Sequence, residues 1–213
     1  MTSVTSRPLP MPALIDEMLI DIAVRVQLSP TMHAIAVERY EAIARWLERE
    51  GSALKGRVRL VYTQGSMAIG STIRSKEDDD LFDIDLIVEV DWSAGTTPAQ
   101  MLSALFQAIR GEKGSRYYDM VELQTRCVTV HYADMHLDIT PMRRNHTWAA
   151  RGGLIAHAKL TEPVAQHKLV AANPWGFAQD FKAKTPAEAW FSRVVLEKSY
   201  GRVIRADAEP IAS

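Results

Sequence analysis

The chain has 213 residues, 25 Lys and Arg against 26 Asp and Glu, and 47% hydrophobic residues, the profile of a globular protein with one good core. A formal net charge of −1 argues against a surface built as a whole to coat nucleic acid. The single cysteine, Cys127, excludes an internal disulfide and a cysteine-based zinc site, and points to a reducing compartment. Met1 to Pro12 carries only Arg7 as a charge and lacks the apolar run of a signal peptide. Later apolar stretches stop well short of the ~20 residues of a membrane span, so a soluble, cytoplasmic protein is expected.

In chain order, Leu14, Met18, Ile22 and Val26 recur every four positions and predict a first helix. Ser29 as N-cap, Pro30 in the first turn and the stripe Ala36, Tyr40, Ile43, Leu47 predict a second, with Gly51 as its stop. Val58, Leu60 and Tyr62 alternate with Arg57 and Arg59 as in a half-buried strand. That strand runs into Gln64-Gly65-Ser66, and Met67–Ile73 is expected to form a short helix. Beyond the acidic loop Asp78-Asp79-Asp80, read as solvated, Phe82–Val90 predicts another strand. Thr97 and Pro98 open a helix that ends at Gly111. Val121–Tyr132 and His136–Pro141 read as two strands of a hairpin turning at Ala133-Asp134. Thr147–Lys159 shows no decisive period, Pro186–Glu197 reads as helical, and Ile204–Ser213 as a tail.

Chemistry concentrates in three places. In Phe82-Asp83-Ile84-Asp85-Leu86 strand alternation puts both aspartates on one face and the apolar residues on the other. Paired carboxylates on an apolar strand repel each other and are costly to desolvate, so they call for a cation. Oxygen ligands of this kind suit Mg²⁺ or Mn²⁺ held jointly with substrate phosphates. In His136-Leu137-Asp138-Ile139-Thr140-Pro141, Asp138 again faces away from its apolar neighbours. If this strand neighbours the first, three carboxylates converge, enough for two ions about 3.5–4 Å apart and for phosphoryl or nucleotidyl transfer. The Gly65-Ser66 bend adds close backbone approach, amides and a hydroxyl for phosphate. Each piece alone is commonplace; their conjunction is specific.

With these residues the sequence resembles the DNA polymerase β-like nucleotidyltransferase superfamily, and within it the bacterial cGAS/DncV-like nucleotidyltransferases that make cyclic oligonucleotide signals in anti-phage defence. The resemblance rests on Tyr62-Thr63-Gln64-Gly65-Ser66 with Gly70-Ser71-Thr72-Ile73-Arg74, on Phe82-Asp83-Ile84-Asp85-Leu86-Ile87-Val88, and on His136–Pro141. Asn173-Pro174-Trp175-Gly176-Phe177 with Phe181 is similar to the family's Asn-Pro-x-Gly-aromatic segment. It implies an α/β (α+β) fold with a mixed or antiparallel twisted sheet flanked by helices. It also implies an N-terminal helix over 1–28, a catalytic core over 29–181 and a helix and connector over 182–213. Asp83, Asp85 and Asp138 would be catalytic and metal-binding, with Gln64, Gly65, Ser66, Asp83 and Asp85 binding nucleotide. The implied reaction is Mg²⁺- or Mn²⁺-dependent joining of NTPs into a cyclic oligonucleotide with release of pyrophosphate, and defence-operon regulators or effectors are the implied protein partners. Family members continue into a helical lobe that closes the nucleotide cleft, so a chain ending at Ser213 reads as a fragment.

Two other functions fit the same residues: nucleotide transfer to a protein, tRNA or small-molecule hydroxyl, and a non-catalytic nucleotide- or partner-binding domain. Neither a nucleic-acid activator nor zinc is indicated, since the six histidines show no zinc-type spacing. Arg143 and Arg144 are close enough in sequence to Asp138 to reach phosphate or to stay on the surface. Trp148, Trp175, Trp190 and Phe191 read as packing residues, and Cys127 as a buried hydrophobe.

Overall fold

The computed structural model describes residues 14–26, 28–73 and 82–185. Leu14–Val26 is a helix, α1, as its four-residue apolar spacing requires; it belongs to a different compact unit from Leu28–Lys184, and each is treated by itself. The acidic run 78–80, the helix expected over 186–197 and the tail 204–213 lie outside the described residues. Among the described residues no helix is long and apolar enough to cross a membrane.

In the larger unit, α2 (Pro30–Leu47) starts where the sequence says it should. Ser29 Oγ accepts from the Met32 amide at 3.2 Å, Pro30 occupies the first turn, and Ala36, Ile43 and Leu47 are buried. The helix closes on Glu48, ahead of Gly51. Strand β1 (Val58–Thr63) leads into α3 (Gly65–Ala68), which starts earlier and is shorter than expected, because the Ser71 amide folds back onto the Ser66 carbonyl at 2.8 Å. Strand β2 (Phe82–Val90) precedes α4 (Pro98–Arg110), whose start is a full capping box: Gln100 N donates to Thr97 Oγ1 and Thr97 N to Gln100 Oε1.

The stretch Val121–Tyr132 is not one strand but two, β3 (Val121–Leu123) and β4 (Val128–His131). A tight turn in which Gln124 N donates to Cys127 O at 2.9 Å separates them. The hairpin from β4 to β5 (Met135–Arg144) turns at the expected residues, and Arg39 of α2 grips Asp134 there with both terminal guanidinium nitrogens, Nη1 and Nη2. Two strands escaped the sequence reading, β6 (Gly153–His157) and β7 (Lys168–Ala172), five residues each and neither cleanly alternating in burial. The last described helix, α5, is Pro174–Lys184.

Among the described residues seven strands form one mixed sheet in the order β1-β2-β5-β4-β3, with β6 on the far part of β5 and β7 beyond it. Of these strand pairs only β2 and β5 run parallel, and α4 lies on the connection between them. One face of the sheet is the core: Phe82, Ile84, Leu86, Val88 and Val90 alternate along β2 and pack with Ile43 and Leu47 of α2 and Leu105 and Ile109 of α4. Complete burial of such a Leu or Ile contributes about 1.5–3 kcal/mol. The two helices are tied to each other, since Trp46 Nε1 donates to Ile109 O at 2.8 Å and Arg49 to Ala108 O at 2.7 Å. Arg49 thus places a cation at the C-terminal end of α4, where the helix dipole favours it.

Beyond the aspartates on the opposite face, Glu89 of β2 is 1% exposed. Arg151 answers it with a two-pronged pair, Nε to Oε1 at 3.0 Å and Nη2 to Oε2 at 2.6 Å. Ala150 and Arg151 take left-handed backbone angles (φ 47° and 62°) in the turn that delivers this side chain. Trp175 of α5 stacks edge-on against Tyr62 of β1 at 5.3 Å, and the Arg151 guanidinium lies 5.7 Å from the Trp175 ring. The Asn-Pro-x-Gly segment is the start of α5: Asn173 Oδ1 accepts from Gly176 N at 2.8 Å, and a Cβ on residue 176 would run into the Asn173 amide. Arg151→Ala would leave Glu89 buried without its main partner, at a cost of about 3 kcal/mol. Urea denaturation should show that loss, and a change within 0.5 kcal/mol would contradict the role given to the pair.

Candidate functional site

The face of β2 that turns away from the core carries Asp83, Asp85, Ile87 and Glu89 in alternation. Because β5 pairs with β2 in parallel register, Asp83 lies opposite His136 and Asp85 opposite Asp138. Neighbouring strands are about 4.8 Å apart, so Asp138 shares the immediate surroundings of both β2 aspartates. The next strand continues each row: His131 pairs with His136, and Thr129 with Asp138. Two three-residue rows therefore cross the sheet side by side, Asp85–Asp138–Thr129 and Asp83–His136–His131.

Burial and like charge act on the first row. The Asp85 carboxyl is pushed above its ordinary value, first by burial and then by the negative charges of Asp138 and Asp83. Thr129 Oγ1 donates to Asp138 Oδ1 at 2.5 Å. In the second row His136 Nδ1 is 3.6 Å from Asp83 Oδ1, the two imidazoles meet edge to face at 4.6 Å, and His131 Nε2 is 3.1 Å from Glu122 Oε2. Asp83, Asp138, Thr129 and the two histidines, but not Asp85, line an open cleft of about 440 Å³ together with Gln124, Thr125, Arg126 and Cys127.

The Gly65-Ser66 bend lies on the other flank, against Asp85. Gln64 N donates to Asp85 O at 2.8 Å, which carries the β1–β2 ladder one step past Thr63. Gly65 then takes φ +58°, and a Cβ there would collide with Asp85 Oδ2. Glycine is required for both reasons, the left-handed backbone and the approach of the carboxylate. Ser66 Oγ is 3.2 Å from Thr72 Oγ1, and the Gln64 side chain makes no capping bond to α3.

Other residues read differently in three dimensions. Arg143 donates to the carbonyls of Ser93 (3.5 Å) and Thr96 (3.0 Å), and Arg144 Nη1 is 3.9 Å from Glu89. Both arginines are therefore engaged beside Trp92 and Glu89 and not with the aspartates. Cys127 is half-buried in the cleft and not a core residue; burial and then the charge of Asp138 push its thiol up to about 12. Thr129, His131 and His136 carried no signal of their own. The alternation Cys127, Thr129, His131 between buried Val128 and Val130 becomes meaningful only once β4 is known to border β5.

Among the described residues no three His, Cys, Asp or Glu side chains are arranged to hold a metal ion by themselves. The donor set nevertheless fits a hard divalent cation. It is carboxylate oxygen from neighbouring strands, its central member Asp85 is half-buried and stands beside two like charges, and Mg²⁺ ordinarily takes only one or two carboxylates, leaving the remainder to water and substrate phosphate.

Residues 15–167 match the family of second messenger oligonucleotide or dinucleotide synthetase domains. The chain is 40% identical over 187 residues to the cyclic dinucleotide synthase CdnG of Bradyrhizobium diazoefficiens, covering 87% of this chain and 44% of that protein. It is 26% identical over 129 residues to a c-di-GMP synthase of Roseivirga ehrenbergii, covering 60% of this chain and 34% of the relative. Among solved structures, CdnG of B. diazoefficiens in complex with GTP superposes with a TM-score of 0.79 at 37% identity, over 94% of this chain and 56% of that one. A c-UMP-AMP synthase, CdnE of Rhodothermus marinus, shares the fold at a TM-score of 0.54 and 15% identity, over 94% of this chain and 70% of its own. The chain thus spans under half the length of the curated relatives it matches.

A carboxyl with a raised folded-state pKa favours the folded protein when protonated and loses that contribution as pH rises through the folded value. Without divalent cations, Asp85→Asn should therefore melt higher than the wild type at pH 7. Each kcal/mol relieved corresponds to about 2–4 °C, and the gap should close as pH falls from the raised folded value toward the ordinary 3.8. Mg²⁺ should raise the melting temperature of the wild type and not of the variant. Calorimetric scans at pH 7 and 3.5 check this, and equal midpoints at pH 7 would contradict it.

Proposed function

From the premise that the chain belongs to the second messenger oligonucleotide or dinucleotide synthetase family, we propose that its aspartate-bearing sheet face joins nucleoside triphosphates into a cyclic dinucleotide or trinucleotide. In this reading the 3′-hydroxyl of one nucleotide attacks the α-phosphate of another, the bond to the β-phosphate breaks, and pyrophosphate leaves. A second such step on the linear intermediate closes the ring. The observation that carries the reading is the common face and register of Asp83, Asp85 and Asp138.

Asp83 and Asp85 would hold Mg²⁺ or Mn²⁺ together with the triphosphate, and Asp138 would share in this at the attacking hydroxyl. Such ions, when bound, neutralise charge on the transferring phosphoryl group and make the hydroxyl easier to ionise. The chain's own contribution is placement. Gly65 lets the backbone come against Asp85, and Ser66, the α3 amides and Gln64 receive the triphosphate beside it. A guanine nucleotide is the first substrate to expect, because CdnG, 40% identical to this chain, is a cyclic dinucleotide synthase whose solved structure holds GTP. The product would serve as a cytoplasmic anti-phage signal, with a regulator or effector protein as partner.

The protein is incubated with radiolabelled NTPs and Mg²⁺ or Mn²⁺, and phosphatase-resistant products are separated by chromatography. A cyclic product is expected with no added acceptor. Asp83→Asn, Asp85→Asn and Asp138→Asn should each reduce it by more than about 100-fold, beyond the 10–100-fold typical of a lost outer-shell partner. A product seen only when tRNA or another protein is supplied would overturn the reading. So would metal-dependent GTP binding, measured by calorimetry, that is unchanged in the Asp83→Asn/Asp85→Asn double variant.

A further inference from the structure

Asp138 stands in a difficult position. It faces Asp85 across the parallel β2–β5 pair, so a freely rotating Asp138 carboxylate would turn away from its like-charged neighbour and spoil any shared use of the two. Something must hold it.

The residue opposite Asp138 on its other side is Thr129, on β4. Its hydroxyl donates to Asp138 Oδ1 at 2.5 Å, and the residue is only 6% exposed. A hydroxyl bound to a carboxylate at this separation is a charge-assisted bond, roughly twice as strong as a neutral one. The β-branched side chain is stiff at its first torsion, and its neighbours Val128 and Val130 are fully buried in the core on the opposite face. Thr129 is thus an immobile donor set into the sheet, not a surface hydroxyl that happens to be near.

We propose that Thr129 is a positioning residue: by occupying Oδ1 it fixes the rotamer of Asp138 and so presents the carboxylate to cation and substrate. Thr129 touches neither, and it acts through Asp138. The inference rests on Asp138 serving as a ligand in the proposed reaction. Partners of this outer kind typically contribute 10–100-fold in metal affinity or activity.

The test exploits two substitutions that separate hydroxyl from shape. Thr129→Val keeps the outline and removes the donor, whereas Thr129→Ser keeps the donor and removes a methyl group. Mn²⁺ is titrated into wild type, both variants and Asp138→Asn in the presence of a non-hydrolysable GTP analogue, with water-proton relaxation as the readout and melting temperature as the check on folding. Thr129→Val should bind Mn²⁺ about tenfold more weakly, Thr129→Ser should stay within about twofold of wild type, and Asp138→Asn should lose at least as much as Thr129→Val. Where product forms, Thr129→Val should lower kcat with little change in nucleotide KM. The reverse pattern, with Val tolerated and Ser defective, would make Thr129 a packing residue and overturn the inference. If Asp138→Asn loses Mn²⁺ while Thr129→Val binds normally, positioning fails and the reading of the site survives. Should Asp138→Asn itself bind Mn²⁺ as the wild type does, the reading of the site fails and the inference goes with it.

Discussion

The constraint on which this site depends is the parallel register of β2 and β5. Parallel neighbours need a long connection, and here it is supplied by α4 and the β3–β4 segment. Once that register is set, Asp85 and Asp138 are held opposite each other whatever their mutual repulsion, because Ile84, Leu86, Leu137 and Ile139 on the other face are fully buried. A one-residue slip of β5 would send Leu137 and Ile139 to the wrong face. Core burial thus enforces an electrostatically unfavourable cluster, and the rise in the Asp85 pKa records that tension.

The surroundings of the cluster divide the work. On the β1 side the approach is by backbone alone, since Gly65 leaves no space for a side chain next to Asp85. On the β4 side it is by side chain, with Thr129 bound to Asp138 and His131 and His136 lined up behind Asp83. Further along the same face Glu89 is neutralised by Arg151, and Trp175 covers Tyr62. The acidic strand therefore contains both a carboxylate that is answered by a permanent cation and two that are not. That contrast marks Glu89 as a structural acid and supports the proposal that the other two serve a divalent cation.

Local chemistry made much of this legible. The start of α2 was readable from Ser29-Pro30, that of α4 from Thr97-Pro98, and the faces of β2 from strict alternation, because capping and strand pleating act over a few residues. The aspartate pair and the Gly-Ser bend were readable for the same reason, and so was the family resemblance, which the match over residues 15–167 bears out. Less was readable where the signal lies in partners distant in sequence. β6 and β7 are short strands, the first paired to the end of β5 and the second only to β6. The break at Gln124–Cys127 is a turn inside what looked like continuous strand sequence.

By itself, then, the sequence determined which faces are polar, where helices begin, and which residue types could meet a phosphate or a cation. All of these follow from interactions within about one turn or one pleat of the chain. Only the tertiary structure decided that β5 lies next to β2 and β4 next to β5. It thereby gave Asp138 two different neighbours, a like-charged Asp85 and a hydroxyl donor in Thr129, moved Cys127 from the core to the cleft, and committed Arg143 and Arg144 elsewhere. Strand order is set by burying the whole apolar face at once, a global requirement that no single segment encodes.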